Sequence, residues 1–219
     1  MYVAIAEQSG LIHELTSYVL ENALEQRRQW ASRGLDLSVA VNISVHDLHR
    51  DGFATDVAEV LDRTATPPGR LVLEVTETRA LHSPERIAPV LAQLRGRGVV
   101  VAIDDFGTGF SSLTSLRSLP VDVIKIDRAF VGTMAVDEHD NAIVRSIIEL
   151  ARRLGIEIVA EGVEDEETEG QLRALGCNKI QGYVMTPALP PHQLEKWLGG
   201  DSEKARRAPV LDLQPVAVG

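Results

Sequence analysis

Val99-Val100-Val101-Ala102-Ile103-Asp104-Asp105-Phe106-Gly107-Thr108-Gly109 is the stretch on which the fold turns. A short, unbroken apolar run bounded by glycine reads as a strand buried on both faces, the kind found in parallel sheets. Two adjacent carboxylates at its end, followed by a glycine-rich loop, can hold a divalent metal against phosphate. Outward from this stretch the same design recurs. Apolar runs elsewhere end in Asn42, Glu74, Lys125, Glu161 and Gln181.

Helical and extended periods alternate along the chain. The spacing predicts helices over 11–32, 45–63, 84–97 (with Ser83 as N-cap), 111–118, 140–154, 166–175 and 191–198. It predicts strands over 38–43, 70–75, 99–103, 121–126, 156–160 and 179–183. Buried strands separated by helices imply parallel pairing with right-handed crossovers. Two α/β architectures fit: an open doubly wound sheet and a closed barrel. An open sheet gathers its ligand groups near one switch point, whereas a barrel brings every strand end to one mouth. Polar groups at nearly every strand end favour the barrel, yet a barrel of this type has eight strands and the sequence supplies six. Residues 1–200 read as one domain, and 201–219, aperiodic and carrying Pro209 and Pro215, as a disordered tail.

Composition narrows the chemistry. The 219 residues carry a formal net charge of -10, which argues against DNA or RNA as a partner, because nucleic-acid binding needs lysine and arginine to displace counterions. It leaves phosphate ligands open, since bound cations neutralise site and substrate together. No apolar run is long enough for a membrane span. The single cysteine, Cys177, makes a reducing cytoplasm the expected location. Oxygen donors at the strand ends suit the hard cations magnesium and manganese, and no cluster of cysteine or histidine suggests zinc. Lys125, between Ile124 and Ile126, is the hardest residue to explain blandly: a lysine inside a buried strand requires carboxylate partners. Each of the other polar strand ends has an ordinary explanation singly, as a turn, a cap or a solvated face. Together they point to a metal–phosphate site.

The motifs Glu7-Gln8-Ser9-Gly10-Leu11-Ile12, Val41-Asn42-Ile43-Ser44, Glu74-Val75-Thr76-Glu77, Asp104-Asp105-Phe106-Gly107-Thr108-Gly109, Lys125-Ile126-Asp127, Glu161-Gly162-Val163-Glu164 and Gln181-Gly182-Tyr183 closely resemble, in this order, the EAL domain family of enzymes that hydrolyse cyclic di-GMP. The resemblance runs from about Tyr2 to Leu198. It implies a TIM-type barrel with metal held by Asn42, Glu74, Asp104, Asp105 and Glu161. Lys125 would orient the attacking water and offset charge on the phosphorane, with Asp104, Asp105 and Glu161 as its catalytic company. Gln181 and Tyr183 fall on the substrate side, and Glu77 would anchor the loop of Phe106, Gly107, Thr108 and Gly109, which also shapes a homodimer contact. The implied reaction is two-metal hydrolysis of cyclic di-GMP to linear pGpG.

The family takes its name from a Glu-Ala-Leu run on its second strand, and that run does not occur here. The expectation is a chain that starts past that strand, truncated at its N-terminus, which accounts for six strands in place of eight. A lost metal-ligating carboxylate predicts that the chain alone hydrolyses cyclic di-GMP poorly or not at all. Two functions therefore stand as expectations. One is a cyclic di-GMP phosphodiesterase. The alternative is an inactive EAL-like module that binds cyclic di-GMP or a protein partner in signalling.

Overall fold

A computed structural model describes residues 2–81, 84–109 and 113–199. Ser83 and the segment 201–219 lie outside the described residues, as does part of the loop after Gly109. Two compact units emerge, the first made of residues up to 103 together with 109–122, the second of 104–108 together with the chain from 123 onward.

The first unit opens with helices α1 (Tyr2–Ser9) and α2 (Ile12–Ser32), followed by strand β1 (Val39–Asn42) and helices α3 (Val45–Leu48) and α4 (Phe53–Arg63). Strand β2 (Leu71–Thr76), helices α5 (Glu77–Ala80) and α6 (Pro84–Gly96), most of strand β3 (Val100–Phe106) and helix α7 (Leu113–Ser118) complete it. β1 and β2 are parallel, with Val39 opposite Leu71 and Asn42 opposite Glu74. The strands carry little alternation because both faces are covered: Leu71, Val72, Leu73, Glu74 and Val75 are all buried. The core gathers Leu24, Leu48, Leu71, Leu73, Ile87, Leu91 and Leu94, each under 2% exposed. Burial of such side chains contributes about 1.5–3 kcal/mol apiece.

The second unit holds the end of β3, strand β4 (Val123–Ile126), helices α8 (Arg128–Val131) and α9 (Glu138–Leu154), strand β5 (Glu157–Glu161), helix α10 (Glu166–Leu175), strand β6 (Lys179–Gln181) and helix α11 (Pro191–Leu198). β4, β5 and β6 run parallel in chain order, Lys125 opposite Val159 and Glu161 opposite Gln181. Six strands are thus present among the described residues, the number the periodicity predicts.

Four departures from the sequence pattern bear on the site. The region 45–63 is two helices rather than one: α3 stops at its C-cap His49, and α4 starts from its N-cap Gly52, which takes φ +87°. α3 is started by a capping box in which Ser44 and Asp47 exchange hydrogen bonds with each other's backbone. A helix not visible in the periodicity, α1, precedes α2. β3 runs through Asp104 and Asp105 to Phe106 instead of ending at Ile103, held by the Asp127 N–H donating to the Phe106 carbonyl at 3.4 Å. β6 ends at Gln181, two residues short of Tyr183, because Gly182 begins a turn against Val163.

Candidate active site

Successive side chains of a strand point to opposite faces, so Asp104 and Asp105 on a regular β3 would diverge. They do not diverge, because Asp105 adopts φ +55°, a left-handed backbone that aspartate tolerates better than most residues. The twist brings both carboxylates to the same side as Glu161, the last residue of β5. One oxygen from each of Asp104, Asp105 and Glu161 falls within 4.8 Å of the others. Lys125, on β4, occupies the same neighbourhood. Its Nζ lies 2.7 Å from Glu161 Oε1 and 3.0 Å from Asp104 Oδ1, with the lysine side chain only 8% exposed. The carboxylate partners that a buried lysine requires are therefore in place.

The electrostatics of this cluster are crowded. Asp104 Oδ1 is buried with no aligned hydrogen-bond donor among the described residues, although the lysine ammonium approaches it closely. Burial, followed by the charge of Asp104, pushes the Asp105 carboxyl up to about 6. A hydrogen bond with Asp127 and the charges of Asp127 and Glu161 act in the same direction. Asp127 is a member of the site that the sequence pattern left without a role. Its position directly after β4 was the available signal.

In the first unit, Asn42 and Glu74 sit side by side at the ends of β1 and β2. Asn42 is exposed and Glu74 is 7% exposed. The Ile43 N–H donates to the Glu74 carbonyl at 2.9 Å and carries the pairing one residue past β1. Glu77, buried at the start of α5, accepts the Gly109 N–H at 3.2 Å. Within the second unit Phe106 is buried, Gly107 takes φ +105°, and Thr108 closes the turn by donating its hydroxyl to the Asp105 carbonyl at 2.9 Å. Gln181 lies opposite Glu161 on the neighbouring strand and, like Tyr183, is exposed.

The family model of the EAL domain matches residues 1–188. This chain belongs to the EAL domain family. The bifunctional diguanylate cyclase/cyclic di-GMP phosphodiesterase MucR of Pseudomonas aeruginosa is 41% identical over 194 residues, which is 88% of this chain and 28% of that protein. The cyclic di-GMP phosphodiesterase NbdA of the same organism is 37% identical over 198 residues, 90% of this chain and 25% of that protein. The chain thus spans roughly a quarter of the length of these curated relatives. Among solved structures, the MucR phosphodiesterase in complex with cyclic di-GMP superposes with a TM-score of 0.83 at 41% identity, covering 88% of this chain and 78% of that one. The EAL domain of Mycobacterium smegmatis DcpA gives a TM-score of 0.80 at 37% identity, covering 86% and 85%. The fold is therefore that of the EAL domains, which are TIM-like barrels.

The donor set of this EAL domain fits a divalent cation. Its clustered donors are all carboxylate oxygens, one of them buried without an aligned donor, and the charges of Asp104 and Glu161 add to burial in raising the proton affinity of Asp105. A hard cation relieves that crowding better than a proton does. The acidic cluster has the ligand chemistry of a divalent-cation site. No helix among the described residues is long and apolar enough to cross a membrane.

Proposed function

We propose that this EAL domain hydrolyses cyclic di-GMP to linear pGpG with a pair of magnesium or manganese ions. The observation that carries the reading is the buried Lys125 bridging Asp104 and Glu161 beside Asp105, a cationic head group fixed within a cluster of cation-seeking oxygens. The curated relatives named as cyclic di-GMP phosphodiesterases support the substrate.

Asp104, Asp105 and Glu161 would hold metal, and Asn42 and Glu74 are proposed as further oxygen ligands. Bound divalent ions supply the activation of water and the neutralisation of phosphate charge. The chain's own residues do the rest. Lys125, pinned by two carboxylates, presents a fixed positive charge toward negative charge that builds on the phosphoryl oxygens in the transition state. The burial of β4 along its whole length keeps water from around Lys125 and lowers the local screening. Glu77 holds the Gly109 amide and limits the freedom of the loop that follows Asp105. Gln181 and Tyr183, exposed near the end of β6, are proposed as substrate contacts, and the loop of Phe106 to Gly109 is proposed as a homodimer contact.

The test is direct. Purified chain at millimolar Mn2+ with cyclic di-GMP is expected to yield linear pGpG by chromatography, and no product with chelator. Saturable binding without product would overturn the enzyme in favour of a binding module, and absence of both would remove cyclic di-GMP altogether.

A further inference from the structure

Glu7, on α1, joins two segments that are far apart in sequence. Its Oε1 accepts the Ser44 hydroxyl at 2.9 Å, and the Arg79 guanidinium grips both carboxylate oxygens at 2.5 and 2.8 Å. Ser44 stands two residues past Asn42, and Arg79 two residues past Glu77. Each of these partners is poised to transmit a displacement. Ser44 is already held from its other side, its N–H donating to Asp47 Oδ2 at 3.1 Å. Asp47, 1% exposed, is itself fixed by the Thr16 hydroxyl at 2.8 Å and His13 Nδ1 at 2.7 Å. Glu7 therefore pulls against a rigid support. Arg79 belongs to α5, a helix of four residues, too short to hold its own orientation. What α5 carries is Glu77, whose carboxylate accepts the Gly109 N–H.

We propose that Glu7 is a positioning residue of the EAL site: its carboxylate sets the orientation of α5 through Arg79 and so fixes the Glu77 grip on the loop after Asp105, with Ser44 as the anchor beside Asn42. The functional part of this inference rests on the phosphodiesterase reading. The structural part does not. The Glu7 side chain is 13% exposed and makes three charge-assisted bonds, which is more than an isolated surface ion pair offers. Arg79 and Ser44 also hold its carboxyl below the usual range, against the opposing effect of burial.

Three variants test it: Glu7→Gln, the charge reversal Glu7→Arg with Arg79→Glu, and Glu77→Ala as reference. The amide of Gly109 is followed by NMR shift and hydrogen exchange, with amides of β1 and β2 as internal controls. In Glu7→Gln the Gly109 amide is expected to move toward its Glu77→Ala position and to exchange about tenfold faster, the equivalent of one charge-assisted hydrogen bond, while β1 and β2 stay protected. The charge reversal is expected to recover part of that protection. In turnover, Glu7→Gln should lower kcat by about tenfold and leave KM within about twofold, as expected for loss of an interaction that matters in the transition state. An unmoved Gly109 amide, or a uniform loss of protection across β1 and β2, would overturn the proposal. Wild-type chain without turnover would sink the phosphodiesterase reading alone, and the amide comparison would still decide the role of Glu7.

Discussion

Lys125 and Asp105 show how much of this site is decided by single side chains. Lys125 neutralises Asp104 and Glu161 in a buried setting, so its removal leaves two carboxylates facing each other. Lys125→Met is expected to lower stability by about 3 kcal/mol in chelator, the usual result of breaking a buried ion pair on one side. Mn2+ should return part of that loss, because a cation can take over the neutralising role. Thermal melts with and without metal check this; equal melts of variant and wild type in chelator would contradict it. Asp105 gives the pH dependence. Its folded value of about 6 stands above the ordinary 3.8 of an aspartate. A raised carboxyl favours the folded state when protonated, so its contribution is full below pH 3.8 and is lost as pH rises through about 6. The metal-free chain is therefore expected to lose stability across that window relative to Asp105→Asn, in which the titrating group is gone. Urea midpoints of the two proteins in chelator at the two ends of the window decide it, and parallel pH profiles would count against the crowding described above.

Elements explain why those residues meet. β3 continues through Asp105 because the Phe106 carbonyl accepts the Asp127 N–H, and the left-handed Asp105 then turns its carboxylate back toward Asp104 and Glu161. The unbroken apolar run of residues 99–103 predicts a strand with two acids at its end, but not which way the second acid points. Periodicity likewise runs on through Gly52, since apolar residues fall at helical spacing on both sides of it, and only the backbone shows the break. At Glu166–Leu175 and Pro191–Leu198 the helix boundaries match the spacing. The junction of β5 and β6 supplies a prediction at this scale. A Cβ on Gly182 would stand 2.1 Å from the Val163 carbonyl oxygen and 2.4 Å from its nitrogen, both backbone atoms that cannot swing aside. Gly182→Ala is expected to cost about 1–3 kcal/mol, as other overpacked sites do, and to lower the melting temperature by about 2–4 °C per kcal/mol. Because Gln181 and Glu161 adjoin the displaced segment, turnover should fall as well. A Gly182→Ala protein with the wild-type melting temperature would show that the close approach is not enforced.

For the molecule as a whole, charge frames the proposed binding of an anionic dinucleotide. A chain at net -10 repels phosphate unless cations intervene, so ligand binding and metal binding should be linked. Cyclic di-GMP at about 100-fold its Kd is expected to stabilise the chain loaded with a divalent cation that permits binding without turnover, such as calcium, by about 2.7 kcal/mol, and by much less in chelator. Equal stabilisation in both conditions would contradict metal-mediated recognition. The α/β pattern, the six strands, the family and the residue types at the strand ends were all determined by the sequence itself, because burial on both faces and the exclusion of charge from a core leave their mark on residue order. Tertiary structure alone decided which of those residues meet. The grouping of Asp104, Asp105 and Glu161 around Lys125, the role of Asp127 and the bond between Glu7, Ser44 and Arg79 depend on one left-handed residue and on contacts between segments distant in the chain. Neither kind of information has a local period to betray it.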